Sequence, residues 1–206
     1  MATIELYSNI SIQQALAWLY GENALGPCEY DGDLGEPGSD SYCRQLIRRF
    51  EVEYGLAVDG GVWGWDCQSK MAEVFTNGVQ LTPHFNSAEL GCGIAVSDND
   101  DPAIHSGNCL HFPEMINHTA LNCLEATRQD LGSGIQVTSG VRCPDYNASL
   151  SGSSSESYHM AGRAFDCNPM GACSYEALLE IGLRNGFTWG YVGNGYVHLQ
   201  YTGSGY

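Results

Sequence analysis

Two short stretches constrain this chain more than anything else in it: residues 157–166, Ser-Tyr-His-Met-Ala-Gly-Arg-Ala-Phe-Asp, and residues 196–200, Tyr-Val-His-Leu-Gln. Gly162 permits a turn after His159, and Ala164, Phe165 and Asp166 then alternate as a strand does, so Ala164 and Asp166 share a face. In the second stretch residues 196, 198 and 200 face one way, while Val197, Leu199 and Tyr201 face the other. If the two runs are neighbouring strands, His159, Asp166 and His198 can close on one metal ion. Two imidazoles and a carboxylate make three ligands, the number a catalytic zinc site uses when its fourth position is left to water. Any one of these histidines taken alone reads as a satisfied core side chain, so the case rests on the three together.

The order and spacing, Ser-x-His-x-x-Gly-x-Ala-x-Asp followed by a late strand histidine, resemble the zinc D-Ala-D-Ala carboxypeptidases and endopeptidases of the peptidase M15 family, especially their phage and bacterial wall-lytic branch. Leu-Thr-Pro-His-Phe at 81–85, Ser-Ala-Glu-Leu at 87–90 and Val-Thr-Ser-Gly-Val-Arg-Cys-Pro-Asp-Tyr-Asn at 137–147 resemble that branch in the same order, so the likeness runs from about residue 81 to 201. It implies an α+β domain, a small antiparallel sheet with flanking helices, of the kind shared with the hedgehog signalling domain. It further implies zinc held by His159, Asp166 and His198, and hydrolysis of peptidoglycan stem peptides, as a carboxypeptidase or as an endolysin-like endopeptidase. The resemblance puts Arg142 in the cleft, where a guanidinium can bind a substrate carboxylate or an oxyanion. Without it, Arg142 reads as a surface arginine paired with Asp145. Ser157 and Gln200 read as hydrogen bonders to substrate, and Tyr196 as a donor to an oxyanion.

The chain departs from the family at one point. Many relatives carry an acid three residues before the last histidine or two after it, and here those places are Gly195 and Gln200, with no acidic residue beyond Glu180. An amide cannot accept the proton, and a phenol with a pKa of about 10 is a poor base. Either the base comes from elsewhere in the fold, Glu89, Glu156 and His84 being candidates, or hydrolysis is lost and the chain is a zinc-holding wall-binding or virion structural protein. A regulatory module on the same fold is the third reading.

Ahead of residue 80 the pattern is helical. Apolar residues recur at helical spacing over 11–21, with Ser11 as cap, again from Tyr42 to Phe50, and over 66–75. Tyr-Asp-Gly-Asp-Leu-Gly at 30–35 and the run Phe50, Gly55, Leu56, Val58, Asp59, Gly60 resemble the three-helix peptidoglycan-binding module often attached to wall hydrolases. Residues 77–80 read as a linker, which divides a helical module, 1–78, from a peptidase domain, 79–206. Trp63 and Trp65 either stack on wall glycan or belong to the module's core. Further on, helices are expected over 113–131 and from Ser174 to Leu183, and a strand over 135–139.

Charge and cysteine usage narrow the partners. Twenty-four acidic residues against eight basic ones give a net charge of −16, and Lys70 is the only lysine. Such a surface repels phosphate backbones and anionic lipids, which argues against nucleic acid and membranes as partners. No run of eighteen apolar residues predicts a membrane span, and no signal peptide is visible, so access to a cell wall is expected through host lysis or a virion. Of nine cysteines, Cys28, Cys43 and Cys67 precede residue 80. Cys92, Cys109, Cys123, Cys143, Cys167 and Cys173 follow it, an even set that can form up to three disulfides. A second zinc on Cys92, His105, Cys109 and His111 matches no standard finger spacing, and the Asp/Asn-rich residues 98–101 lack the glycine and glutamate of a calcium loop.

Overall fold

The computed structural model describes residues 8–21, 30–92 and 116–203. They fall into two compact units, divided between Val79 and Gln80. His105, Cys109 and His111 of the second zinc set that was weighed, the Asp/Asn-rich loop and the expected start of a helix at Pro113 lie outside the described residues.

The first unit holds three helices, α1 (Asn9–Tyr20), α2 (Tyr42–Glu53) and α3 (Trp65–Asn77), around a core that includes Leu16, Ile47, Phe50, Met71 and Phe75. Ser8 caps α1 in place of Ser11, because its hydroxyl meets the Ser11 N–H at 3.1 Å while Ser11 is buried one turn inside. Buried Gln13 holds the first Asp-Gly turn: its amide donates to Asp31 Oδ1 at 2.8 Å and accepts from Gly32 N at 2.9 Å. Arg44 ties that turn to the second, donating to the carbonyls of Gly35 and Gly61 at 2.8 and 2.6 Å. Trp63 is only 6% exposed and stacks on Phe50 with centroids 6.2 Å apart, which corrects the glycan-facing expectation for this ring. Trp65, 40% exposed at the start of α3, keeps a face to solvent.

The second unit is α+β. Its sheet is fully antiparallel in the order β1 (Ile135–Ser139), β2 (Ala164–Pro169), β4 (Val197–Gln200), β3 (Trp189–Val192). Three helices accompany it: α4 (His118–Leu131), α5 (Pro144–Ser149) and α6 (Tyr175–Arg184). Alternation gives the sheet two unlike faces. Phe165, Cys167, Val197 and Leu199 point to the core, where α6 packs across the sheet and α4 packs on α6. The opposite face carries Asp166, His198, Gln200, Trp189 and Tyr191, for Asp166 pairs with His198, Tyr191 with His198 and Trp189 with Gln200. A bulge in β1 sets Val137 opposite Cys167 but Ser139 opposite Asp166, which turns Ser139 toward that second face.

Among the described residues the three disulfides that the second set of cysteines could form are not all made. Cys67, Cys123, Cys167 and Cys173 are thiols. Cys123 and Cys167 lie in the core on α4 and β2, as small apolar side chains do. The α4 helix starts at His118 because the Asn117 side chain caps it, accepting the Ala120 N–H at 2.9 Å.

In the first unit Glu51 of α2 is fully buried, and both carboxyl oxygens lack a hydrogen-bond partner. Burial, and then Asp59 beside it, push this carboxyl up to about 7. An unfolded glutamate titrates at about 4.3. The folded chain therefore holds an extra proton between the two values, and stability falls as pH rises through that window. Glu51→Gln is expected to add on the order of 1–3 kcal/mol at about pH 8 and almost nothing at about pH 4. Urea unfolding at the two pH values measures this, and an equal effect at both would show that Glu51 ionises without cost.

Candidate functional site

His159 is placed by a 3-10 turn, Tyr158–Ala161, which opens with the Ser157 hydroxyl accepting the His159 N–H at 3.4 Å. Gly162 closes the turn at φ 64, in the left-handed region, and returns the chain into β2. The imidazole is 1% exposed, and its Nδ1 lies 2.7 Å from the Gly140 carbonyl oxygen. That oxygen can only accept, so Nδ1 carries the proton and Nε2 carries the lone pair. Nε2 is buried without a hydrogen-bond partner, 3.4 Å from Asp166 Oδ1. Position 140 must be glycine, since a Cβ there would stand 2.3 Å from the Leu90 carbonyl oxygen.

His198 faces the same carboxylate from β4. Its Nδ1 lies 2.8 Å from Asp166 Oδ1, while its Nε2 lies 3.0 Å from the Gln200 amide oxygen and donates to it. In a neutral ring that bond leaves the Nδ1 lone pair for a cation shared with Asp166. Arg142 takes the other carboxylate oxygen: Nη2 donates to Asp166 Oδ2, and Nε donates to Ser139 Oγ at 2.8 Å. Burial alone would raise the Asp166 carboxyl; hydrogen bonds from the two imidazoles, whenever a ring carries a proton toward it, and the Arg142 guanidinium outweigh burial and hold the group well below the usual carboxylate range. Burial is also the chief cause that lowers His159, which keeps the ring neutral.

A metal ion would meet three electron-pair donors here, His159 Nε2, His198 Nδ1 and Asp166 Oδ1. The ligand atoms of the three residues lie within 4.8 Å of one another, the one such cluster of three or more among the described residues. An orphaned buried nitrogen in a set of two nitrogens and one oxygen fits zinc. These residues could hold the metal with one carboxylate oxygen, because the second is engaged by Arg142.

The cluster sits at the base of a cleft of about 940 Å³. One wall is aromatic. Tyr191 stacks on His198 at 26° and 5.2 Å, Trp189 lies against both rings, and the Tyr191 and Tyr196 hydroxyls are 3.0 Å apart. The other wall is the lip 150–157, tied down by Asn147 Nδ2 donating to the Ser154 carbonyl at 2.8 Å.

Of the residues expected here, His159, Asp166, His198, Arg142, Tyr196, Ser157 and Gln200 all line the cleft. Two of them are engaged by neighbours within the site. Arg142 pairs with Asp166 and not with Asp145, and Gln200 gives its amide oxygen to His198. Of the three acid–base candidates, Glu156 lines the cleft. Glu89 closes a capping box with Asn86, and His84 Nδ1 lies 2.7 Å from Glu125 Oε1. The sequence reading missed the Gly140 carbonyl and the pair Trp189 and Tyr191, whose spacing of two on a short run was the available signal.

The sequence model of the family described as Peptidase M15 matches residues 83–200, a span that includes the three converging side chains, Arg142, the lip and the aromatic wall. No curated protein matches the chain.

Gln200 fixes the tautomer of His198, and the loss of such a partner typically weakens metal binding by about 10–100-fold. Gln200→Leu is expected to lose zinc affinity in that range with its circular dichroism unchanged, as read by competition with a chromogenic chelator. Unaltered affinity would mean that Asp166 and the stacked Tyr191 ring orient His198 without help.

Proposed function

The chain belongs to the peptidase M15 family, and on that premise we propose that it is a zinc-dependent peptidase that cuts the stem peptides of bacterial peptidoglycan. The observation that carries this reading is the convergence of His159 Nε2, His198 Nδ1 and Asp166 Oδ1 at the base of an open cleft. Zinc bound there would supply a Lewis acid and a water acidified to a pKa of about 7.

The chain's own residues do the rest. Arg142, with Nε and Nη2 engaged, has Nη1 left to donate to an oxyanion, and Tyr196 also lines the cleft. Glu156, the one carboxylate besides Asp166 among the described residues of the cleft, is the group able to take a proton from water and return it to the leaving amine. The first unit would hold the protein to the wall, with Trp65 as its exposed aromatic face. The site of action would be the cell wall, reached by host lysis or in a virion, and the charge of −16 argues against nucleic acid or lipid as a rival substrate. No helix among the described residues is long and apolar enough to cross a membrane.

One observation favours a second reading, a zinc-holding wall protein without hydrolysis: neither Gly195 nor Gln200 is acidic, and Gln200 is engaged on His198. The two readings part on a single assay. Zinc-loaded protein is expected to release new amino groups from purified peptidoglycan while His159→Ala releases none, and the fragment masses name the bond. Release no greater than that of His159→Ala, from protein that binds both zinc and wall, would establish the second reading. Removal of residues 1–78 is expected to reduce co-sedimentation with purified walls and leave zinc stoichiometry at one. Equal sedimentation of both proteins would remove the wall-binding role from the first unit.

A further inference from the structure

The backbone from Ser139 to Cys143 carries both the Gly140 carbonyl and Arg142, and two neighbours hold it. One is the turn of His159: the Arg142 N–H donates to the His159 carbonyl at 3.2 Å, and the Gly140 oxygen meets His159 Nδ1 at 2.7 Å. The other is the segment from Leu90 to Cys92. The Val141 N–H donates to the Leu90 carbonyl at 2.9 Å, and two residues further along both segments the Cys143 N–H donates to Cys92 Sγ at 3.0 Å.

That second contact brings two cysteines together. Cys92 Sγ rests on the backbone nitrogen of Cys143, and the Cys143 sulfur is three covalent bonds from the same nitrogen. Neither sulfur is in a disulfide. The Leu90–Val141 bond sets the two segments at the spacing of paired strands, about 5 Å, which lies inside the α-carbon separation of about 4.4–6.8 Å that a disulfide spans. The Cys143 sulfur meanwhile accepts the Tyr146 N–H at 3.3 Å as the cap of α5, so closure asks for a turn about its Cα–Cβ bond. Other cysteines are placed differently. Cys67, Cys123 and Cys167 are buried, and burial pushes their thiols up, that of Cys67 to about 11, which suppresses the reactive thiolate. Cys92 is buried as well, but Cys143 is partly exposed, so a small disulfide in solution can reach the pair through it.

We infer that Cys92 and Cys143 are a redox pair, closed to a disulfide by exchange with an oxidised low-molecular-weight thiol, and that closure braces the segment that holds His159 and carries Arg142. The Cys143 thiolate attacks the small disulfide and releases its first thiol. The Cys92 thiolate then attacks the Cys143 sulfur of the mixed disulfide and releases the second. The protons of both cysteines pass to the two leaving thiols; the protein is oxidised by two electrons and the small disulfide is reduced by two. The crosslink spans residues 93–142, a long loop of the kind whose closure most restricts the unfolded chain. This pairing stands whether or not the cleft hydrolyses a peptide.

The test equilibrates the zinc-loaded full chain with oxidised and reduced glutathione in ratios from reducing to oxidising, then blocks remaining thiols with N-ethylmaleimide and maps peptic peptides by mass. One crosslinked peptide joining Cys92 to Cys143 is expected, lighter than its two parts by two hydrogens. Cys143→Ser is expected to fold, since serine is a strong helix cap, and to give no such peptide. Amide hydrogen exchange over residues 139–143 is expected to slow by about tenfold or more when the wild-type chain is oxidised, and to stay unaltered in Cys143→Ser under the same buffers. Both cysteines alkylated in the most oxidising buffer, or Cys92 joined to Cys109 or to any cysteine but Cys143, would overturn the pair. A Cys92–Cys143 crosslink with unchanged exchange would overturn the bracing.

Discussion

The site depends on one register, the antiparallel pairing of β2 with β4 that sets Asp166 directly opposite His198. Side chains alternate with a period of two, so a slip of one residue would send His198 to the core face and bring Leu199 into the cleft. What forbids the slip is the other face of the same strands. Phe165, Cys167, Val197 and Leu199 are all fully buried beneath the helices, and no other register buries them together. The metal-ligand geometry is thus held by hydrophobic burial on the side of the sheet that does no chemistry. Both strands contribute one ligand each, and the third comes from the turn that enters β2, so a single sheet edge-to-edge arrangement positions all three.

Much of this was legible because the relevant signals are local. Period-two alternation marked β2 and β4, the cap of Ser174 begins a helix where side-chain chemistry allows, and Gly162 sits where a left-handed residue is needed. The failures are non-local. β3 presents mostly exposed residues, and the spacing of two between Trp189 and Tyr191 is too short a signal to announce a strand. The hold on His159 comes from the Gly140 carbonyl, and a backbone atom has no sequence signature. Arg142 reads equally well beside Asp145, three residues away, as beside Asp166, twenty-four away, and only the fold chooses. Ser8 and Ser11 are both competent caps, and burial of Ser11 decides between them. The cysteines misled for a related reason: a count gives parity and no geometry, whereas the core uses Cys123 and Cys167 simply for their size.

The Arg142–Asp166 pair explains how a buried carboxylate stays ionised in a site built to receive a cation. A guanidinium so close to a metal position opposes metal binding by charge repulsion, so its retention calls for a benefit elsewhere. That benefit is geometric. By holding Oδ2, Arg142 restricts Asp166 to offering Oδ1 alone to the two imidazoles, and it keeps that oxygen deprotonated when no metal compensates it. With Nε and one Nη2 hydrogen engaged, Arg142 keeps three N–H groups, two on Nη1 and one on Nη2. Gln200 stands in a parallel relation to His198, engaged in orientation and so removed from proton transfer. Each residue that steadies the ligands is thereby withdrawn from acid–base chemistry. The only carboxylate left along the described cleft lies on the lip, at Glu156, outside the sheet that fixes everything else. On the proposed peptidase reading, positioning and proton transfer would fall to different parts of the fold, the first to the strands and the second to a loop held by the Asn147–Ser154 hydrogen bond.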